Sequence, residues 1–329
     1  MIYDCFTFFN ELDLLEIRLN ILNEVVDKFV LVEATRTYKN KPKELYYENN
    51  KERFKQFEDK IIHLVLNDFP ADEQLEAWTI ENLQRNYIME GLKKCQDDDI
   101  IMISDLDEIP RPELIKKVYN LNKIVAFDLD VYTYFLNNYT VGLNWTHGTK
   151  LLSYKNCKSI LNNTSNKKYG IVPDVNIGTT PTLIRLYYGN KQKHIKHAGW
   201  HFSYIGGVDA LITKYSAILE GDKDISTKEE GVKLINSKKF LDKYYLMPVC
   251  IDETFPEYIR DNKTKFADLI INNNCEKFTI FKNLQYSLLY AVNNIFAIRQ
   301  ESRLGIKRTT LIILGLKMRI KKEVIKNEK

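Results

Sequence analysis

The sequence predicts an α/β fold, with a mostly parallel central sheet flanked by helices and a helical extension at the C-terminal end. Three observations predict it. Four short apolar runs, at residues 2–8, 29–32, 61–66 and 100–103, alternate with segments of helical period, which is the pattern of βαβ units. The fourth run ends abruptly in Ser104-Asp105-Leu106-Asp107-Glu108-Ile109-Pro110, so acids stand where a central strand delivers its C-terminal end to the ligand crevice of an open sheet. After Ile124 the apolar runs crowd together, at 124–129, 131–136 and 151–154, which predicts an antiparallel or mixed region covering that crevice.

In order along the chain, the first strand ends at Asn10 and Glu11. Leu12, Leu15, Leu19, Leu22 and Val26 then recur at helical spacing, with Asp13, Glu16, Arg18 and Glu24 on the other face. The second strand ends at Glu33, and a lysine-rich loop follows at 38–42. Residues 72–94 read as helix, with Leu75, Trp78, Leu83 and Tyr87 inward, and Asp97-Asp98-Asp99 as a solvated turn. Pro112 opens another helix at a position that favours proline. Two further short segments lie at 183–187 and 200–204, and past Pro248 the pattern turns helical and rich in Asn and Lys. No internal repeat is present.

A chain of 329 residues holds one large α/β domain or two modest ones. The organisation expected is a domain over 1–265 and a basic helical extension over 266–329. The 20 Tyr and 16 Phe suit a cleft for sugars or nucleobases, although aromatic residues also fill cores. Five scattered cysteines, Cys5, Cys95, Cys157, Cys250 and Cys275, contain no CxxC pair and argue against a disulfide framework or a zinc site. A reducing, cytoplasmic location is therefore expected. The N-terminal residues lack the basic stretch and cleavage pattern of a signal peptide, and no apolar run reaches the 18 or so residues of a membrane span.

The net charge of +4 is unevenly spread. Residues 299–329 hold ten Lys and Arg against three Glu, leaving the body mildly acidic. The tail run Leu311-Ile312-Ile313-Leu314-Gly315-Leu316, flanked by Lys307-Arg308 and by Lys317 to Lys322, reads as a cationic amphipathic helix. Either it lies on an anionic membrane, at the inner face, or it packs on the body with a frayed basic end. No nucleic-acid partner is expected.

Chemistry concentrates at the acidic turn. Asp105 and Asp107 are two residues apart, so on extended backbone both carboxylates leave on one side. Converging carboxylates repel unless a cation lies between them, and Mg²⁺ or Mn²⁺ shared with substrate phosphates suits that position. The same acids also suit helix capping. Arg85, four residues beyond Glu81, either forms an i,i+4 ion pair or reaches a diphosphate with its guanidinium fork. GxGxxG, P-loop, GxSxG and HExxH motifs are absent, which removes the commonest dinucleotide, NTPase, hydrolase and zinc-protease readings.

Several segments together resemble glycosyltransferase family 17, a group of GT-A type. They are Phe8-Phe9-Asn10-Glu11-Leu12-Asp13-Leu14-Leu15-Glu16-Ile17-Arg18-Leu19, Phe29-Val30-Leu31-Val32-Glu33, Trp78 with Glu81 and Arg85, Ser104 to Pro110, and Gly199-Trp200-His201-Phe202-Ser203. The resemblance spans roughly residues 1–265 and lies nearest the bacterial and viral branch. It implies a GT-A-like fold and an inverting, metal-dependent transfer of a sugar from a nucleotide-sugar donor, UDP-N-acetylglucosamine in the best-known members. The acceptor implied is a glycan or lipid-linked saccharide. Asp105 and Asp107 then hold Mn²⁺ or Mg²⁺ with His201 as a later ligand, and Asn10, Glu11, Glu33, Arg85 and Asp105 contact the donor. Trp200 and the loop around Asn138 are candidates for the acceptor. Inversion needs a carboxylate base. Asp209, after Gly206-Gly207, fits its expected downstream position, with Glu108 and Asp174 as alternatives; Asp209 equally fits a helix N-cap.

Two other classes use similar residues. An acidic pair after a strand serves metal-dependent phosphohydrolases and nucleotidyltransferases, and a carbohydrate-binding protein of the same fold needs no catalysis.

Overall fold

The computed structural model describes residues 1–70, 77–118, 124–163, 180–186, 192–217, 225–241, 243–272, 275, 296–303, 306–313 and 316–324. In chain order, β1 (Ile2–Thr7) leads through α1 (Leu12–Leu22) to β2 (Lys28–Ala34). The short α2 (Tyr46–Asn49) and a 3-10 helix at Lys51–Lys60 precede β3 (Ile61–Leu66). Next come α3 (Ala77–Asn86), α4 (Ile88–Gly91), β4 (Ile100–Asp105), β5 (Glu108–Pro110) and α5 (Pro112–Ile115). They are followed by β6 (Val125–Phe127), β7 (Leu129–Thr133), β8 (Asn138–Trp145), β9 (Lys150–Ser153), α6 (Tyr154–Asn163) and α7 (Thr180–Leu186). The remainder holds β10 (Lys193–Ile195), β11 (Gly199–Ser203), α8 (Gly207–Ala217), α9 (Lys228–Ile235), β12 (Lys239–Phe240), β13 (Tyr244–Pro248) and α10 (Glu257–Asp261). Three strands close the described chain: β14 (Phe296–Arg303), β15 (Ile306–Ile313) and β16 (Leu316–Val324).

The main sheet has the order β10-β6-β9-β4-β1-β2-β3, and the four strands read from the sequence form its parallel half, β4-β1-β2-β3. β9 runs antiparallel to β4 and β6, so the sheet is mixed, as the crowding of strands after Ile124 predicts. Both faces are buried. On one, Leu14, Leu15, Ile17, Leu19 and Leu22 of α1 pack with Phe6, Phe8, Phe29 and Leu31. On the other, Cys5, Val30, Val32, Ile101 and Ile103 meet Ile88 and Leu92. Strands buried on two faces read as continuous apolar runs, which is why they were legible.

A second sheet, β12-β13-β8-β7-β11-β5, meets the first at the acidic turn. β4 belongs to the first sheet and β5, three residues on, to the second, where it pairs antiparallel with β11.

Several expectations are overturned. The C-terminal segment is not helical where it is described. β14, β15 and β16 form an antiparallel meander, and among the described residues they pair only with one another. The reason lies in the residues themselves: Leu316, Met318 and Ile320 alternate with Lys317, Arg319 and Lys321, a period of two that favours strand over helix. Residues 183–186 belong to the helix α7 rather than to a separate extended segment. The helix expected over 72–94 is split, with α3 ending at Asn86 and α4 beginning at Ile88, and residues 71–76 lie outside the described chain. Asp99 is buried, not solvated, and accepts the Gln96 N–H at 2.7 Å.

Cys250 and Cys275 are joined in a disulfide with Cα atoms 5.0 Å apart, while Cys5, Cys95 and Cys157 are free. The expectation of no disulfide fails because pairing depends on proximity in space, which scattered spacing does not reveal. With it goes the argument from cysteine usage for a reducing compartment. Among the described residues, no helix is long and apolar enough to cross a membrane.

Candidate active site

The chain leaves β1 on one side toward β2 and β3, while β4 adds on the other side of β1. This reversal opens a crevice beyond the carboxyl ends of β1 and β4, the usual ligand site of such sheets. Thr7 and Asp105 are register partners at that edge. The acidic turn therefore stands at the switch point of the sheet.

Arg18 builds the turn. It projects from α1, is fully buried, and lies 4.6 Å from the Phe6 ring centroid. Its Nε and Nη2 donate to the Asp4 carboxylate at 2.8 and 2.6 Å. Nη1 lies 3.0 Å from each of the carbonyl oxygens of Asp105, Leu106 and Glu108, and Nη2 donates to Ser104 Oγ at 2.6 Å. One guanidinium thus gathers the carbonyls of a tight turn that no ladder could satisfy. From the other side, the Phe202 N–H donates to the Asp107 carbonyl at 2.9 Å and ties the turn to β11.

The three carboxylates of the turn have different surroundings. Asp105 accepts from Arg85 Nη2 at 3.1 Å and Arg185 Nη2 at 2.5 Å. Burial alone would raise its pKa, but Arg185 and Arg85 hold it below the usual carboxylate range. Glu108 is fully buried and accepts both arms of Arg185 at 2.6 and 2.7 Å, the Asp105 N–H at 3.0 Å, and the Trp145 indole N–H. Asp107 faces His201 Nε2 at 3.6 Å and Lys214 Nζ at 3.3 Å. Against its burial, Lys214 and His201 hold it well below the ordinary range. For His201, burial works downward, but Asp107 prevails and raises the imidazole pKa.

Asp105 and Asp107 line a solvent-open cleft, with Phe8, Phe9, Tyr38, Arg85 and Lys214 among its walls. Burial, with Glu81 nearby, keeps the Tyr38 phenol protonated by raising its pKa. The cleft joins two acids to a surround of cations, a surface matched to a polyanionic ligand.

The structure brings together Glu11, Arg85, Asp105, Asp107 and His201, all expected from sequence. Arg85 forms the expected i,i+4 pair, its Nη2 meeting Glu81 at 2.7 Å, and it also lines the cleft. Other expected residues lie elsewhere. Glu33 is fully buried below the cleft and accepts the Tyr47 and Glu48 N–H groups at 3.0 and 3.3 Å and pairs with His63 Nε2 at 2.9 Å, so it anchors α2. Arg18 pairs with Asp4, not with Glu33. Trp200 is a core residue with the Arg111 guanidinium 4.2 Å from its ring centroid. Asn138 is buried, with its amide donating to the Thr133 carbonyl at 3.0 Å. Neither can meet an acceptor from those positions. Asn10 lines a neighbouring cavity rather than the cleft. Asp209, in the first turn of α8, has a 76% exposed side chain paired with Lys228 at 3.0 Å. Glu108, whose oxygens are all engaged, has no access to an acceptor. Asp174 lies outside the described residues.

Sequence reasoning missed Arg185, Lys214 and Trp145. Trp145, half-buried at the end of β8, sets its ring 4.8 Å from that of His201. No local pattern marks these three, because each reaches the site from a different element and only the tertiary fold assembles them. The burial of Arg18 was not legible either, because helical spacing sets it on the polar face with Asp13 and Glu16.

A divalent cation is tested by the donors present. Asp107 Oδ1 and His201 Nε2 face each other beyond hydrogen-bond length, and the buried His201 Nδ1 has no hydrogen-bond partner. Among the described residues no three His, Cys, Asp or Glu side chains converge. One carboxylate and one imidazole fit a Mg²⁺- or Mn²⁺-type ion, which takes few protein ligands and completes its shell with water and substrate phosphate.

Residues 1–161 match the family model described as glycosyltransferase family 17. Over 119 residues the chain is 29% identical to the beta-1,4-mannosyl-glycoprotein 4-beta-N-acetylglucosaminyltransferases of Homo sapiens and Rattus norvegicus, covering 34% of this chain and 22% of each relative. The mouse protein of that name is 28% identical over the same length. The match thus spans about a fifth of these relatives.

Proposed function

With residues 1–161 belonging to glycosyltransferase family 17, we propose that the chain is an inverting, metal-dependent glycosyltransferase of GT-A-like fold. It moves a sugar, best read as N-acetylglucosamine, from a UDP-sugar to a hydroxyl of a glycan or lipid-linked saccharide. The name of the relatives supports the sugar, and the site supports the chemistry. The observation that carries the reading is the acidic turn at the sheet's switch point, enclosed by Arg85, Arg185, Lys214 and His201. Breaking a sugar–phosphate bond builds negative charge on the departing diphosphate, and fixed cations stabilise it without reorganising.

Asp107 and His201 would hold the cation, with Asp105 beside them. When bound, Mn²⁺ or Mg²⁺ supplies Lewis-acid charge against the diphosphate. Arg85 and Arg185, oriented by Asp105 and Glu108, present guanidinium groups to the phosphates. Lys214 adds a point charge above Asp107. The aromatic wall of Phe8, Phe9 and Tyr38 suits a nucleobase.

The test is UDP release from a panel of UDP-sugars with and without Mn²⁺. Asp107→Ala should abolish metal-dependent release by at least about 100-fold. Release of inorganic phosphate in place of UDP would favour a phosphohydrolase, and donor binding without turnover would favour a carbohydrate-binding protein. The basic segment 299–329 supports peripheral contact with an anionic membrane at its cytoplasmic face. Equal, negligible liposome co-sedimentation of the full chain and a 1–298 variant would refute that.

A further inference from the structure

A second, open cavity adjoins the cleft at the start of α1, the two sharing Glu11. Asn10, Asp13 and Arg53 supply amide, carboxylate and guanidinium groups to its walls, and Gly206 and Ala210 form another side. Gly206 has φ of +120°, and a Cβ there would come within 2.7 Å of the Ala210 Cβ. Glycine at this position thus keeps that wall low. The lining mixes these donors and acceptors with apolar surface from Leu12, Ile205 and Leu269, a combination that suits the hydroxyls and the apolar faces of a sugar ring.

Among the described residues, Glu11 alone lines both cavities. It is the N-cap residue of α1, yet its side chain makes no cap hydrogen bond to that helix. One carboxylate oxygen accepts the Asn10 N–H at 3.1 Å, and the other lies 3.6 Å from Lys214 Nζ. The same Lys214 reaches Asp107 at 3.3 Å, so a single ammonium group links Glu11 to the acidic turn. The other carboxylates of the cleft are engaged otherwise: Asp105 by two arginines, and Asp107 by Lys214 and His201. Asp209 and Glu108 are removed by position, as described above.

We propose that the second cavity binds the saccharide acceptor and that Glu11 is the catalytic base. This rests on the transferase reading. The acceptor hydroxyl, lodged against Asn10 and Glu11, gives its proton to the Glu11 carboxylate. Its oxygen forms the new bond to the anomeric carbon, the bond from that carbon to the phosphate oxygen breaks, and the electron pair leaves on UDP. Lys214, 3.6 Å from the Glu11 carboxylate, holds a positive charge beside it at the join of the two cavities.

The experiment measures UDP release from UDP-N-acetylglucosamine by the full chain with Mn²⁺, using water and a panel of p-nitrophenyl glycosides as acceptors. Glu11→Gln is expected to lower kcat at least about 100-fold, the scale of a lost general base. The donor KM and the affinity for UDP should stay within about twofold. In Glu11→Ala, added formate should restore part of the rate, which a structural role would not allow. A thermal melt matching the wild type shows that the variants fold. Unchanged kcat, or a raised KM and weakened UDP binding at retained kcat, overturns the assignment and makes Glu11 a donor contact. An active wild type with an active Glu11→Gln refutes only the base. A wild type that turns over no UDP-sugar refutes the transferase reading, and this assignment with it.

Discussion

Replacing Arg18 with methionine is the sharpest perturbation of the site that never touches a ligand. Methionine fills much of the same volume but offers no donor. The change strands the Asp4 carboxylate, itself fully buried, and removes the donor shared by the carbonyls of Asp105, Leu106 and Glu108. Removing one partner of a buried ion pair costs about 3–5 kcal/mol, because the remaining charge stays desolvated. Against a total stability of about 5–15 kcal/mol this is a large share. For a domain of this size it corresponds to a fall in Tm of roughly 6–20 °C. Urea unfolding followed by tryptophan fluorescence measures it directly, since Trp145 and Trp200 lie beside the turn. Adding Asp4→Asn removes the stranded charge, so the double variant should recover part of the loss. Arg18→Lys should fall between, because an ammonium group keeps the charge but cannot span Asp4, Ser104 and three carbonyls. A loss below about 1 kcal/mol in Arg18→Met, or strict additivity in the double variant, would refute the claim that this guanidinium holds the turn.

Four further outcomes follow from the structure. Glu16 accepts Arg53 at 2.7 and 2.9 Å and is also bonded to Tyr258 and Lys265; burial works upward, but Lys265, Tyr258 and Arg53 lower its pKa. A folded pKa below the unfolded value of about 4.3 stabilises fully above that value and is lost as pH falls through the folded one. Urea midpoints of the wild type should therefore drop more steeply than those of Glu16→Gln below about pH 5, and parallel curves would refute it. Thiol titration of the unfolded, unreduced chain should find three thiols of the five cysteines. Cys250→Ser should cost about 3 kcal/mol for a loop closed over 25 residues, read as a lower urea midpoint. Asp209→Asn should leave UDP release within about twofold, because the side chain is exposed and paired with Lys228; a 100-fold loss would return the base to α8.

The parts legible in the sequence share a physical cause. The four parallel strands and the first helix follow from hydrophobic period, which is set by residues a few positions apart. The acidic turn was legible because its acids stand next to the strand that places them. The tail was misread because the apolar run Leu311 to Leu316 drew attention from the alternation on its C-terminal side. Trp200 and Asn138 were misread as accessible, since neither residue type declares whether its side chain faces core or cleft.

By itself the sequence determined the α/β class, the family of the N-terminal half and the position of Asp105 and Asp107, because all three rest on local pattern. The tertiary structure alone decided which cations meet those acids. It brought Arg185 from α7, Lys214 from α8 and His201 from β11 to one turn, through separations of about 80 to 110 residues that no spacing rule spans. It also set Glu11 between two cavities and sent Glu33, a residue of the same type at the next strand end, beneath the surface. The difference between those two glutamates is one of burial, and burial is a property of the packed chain.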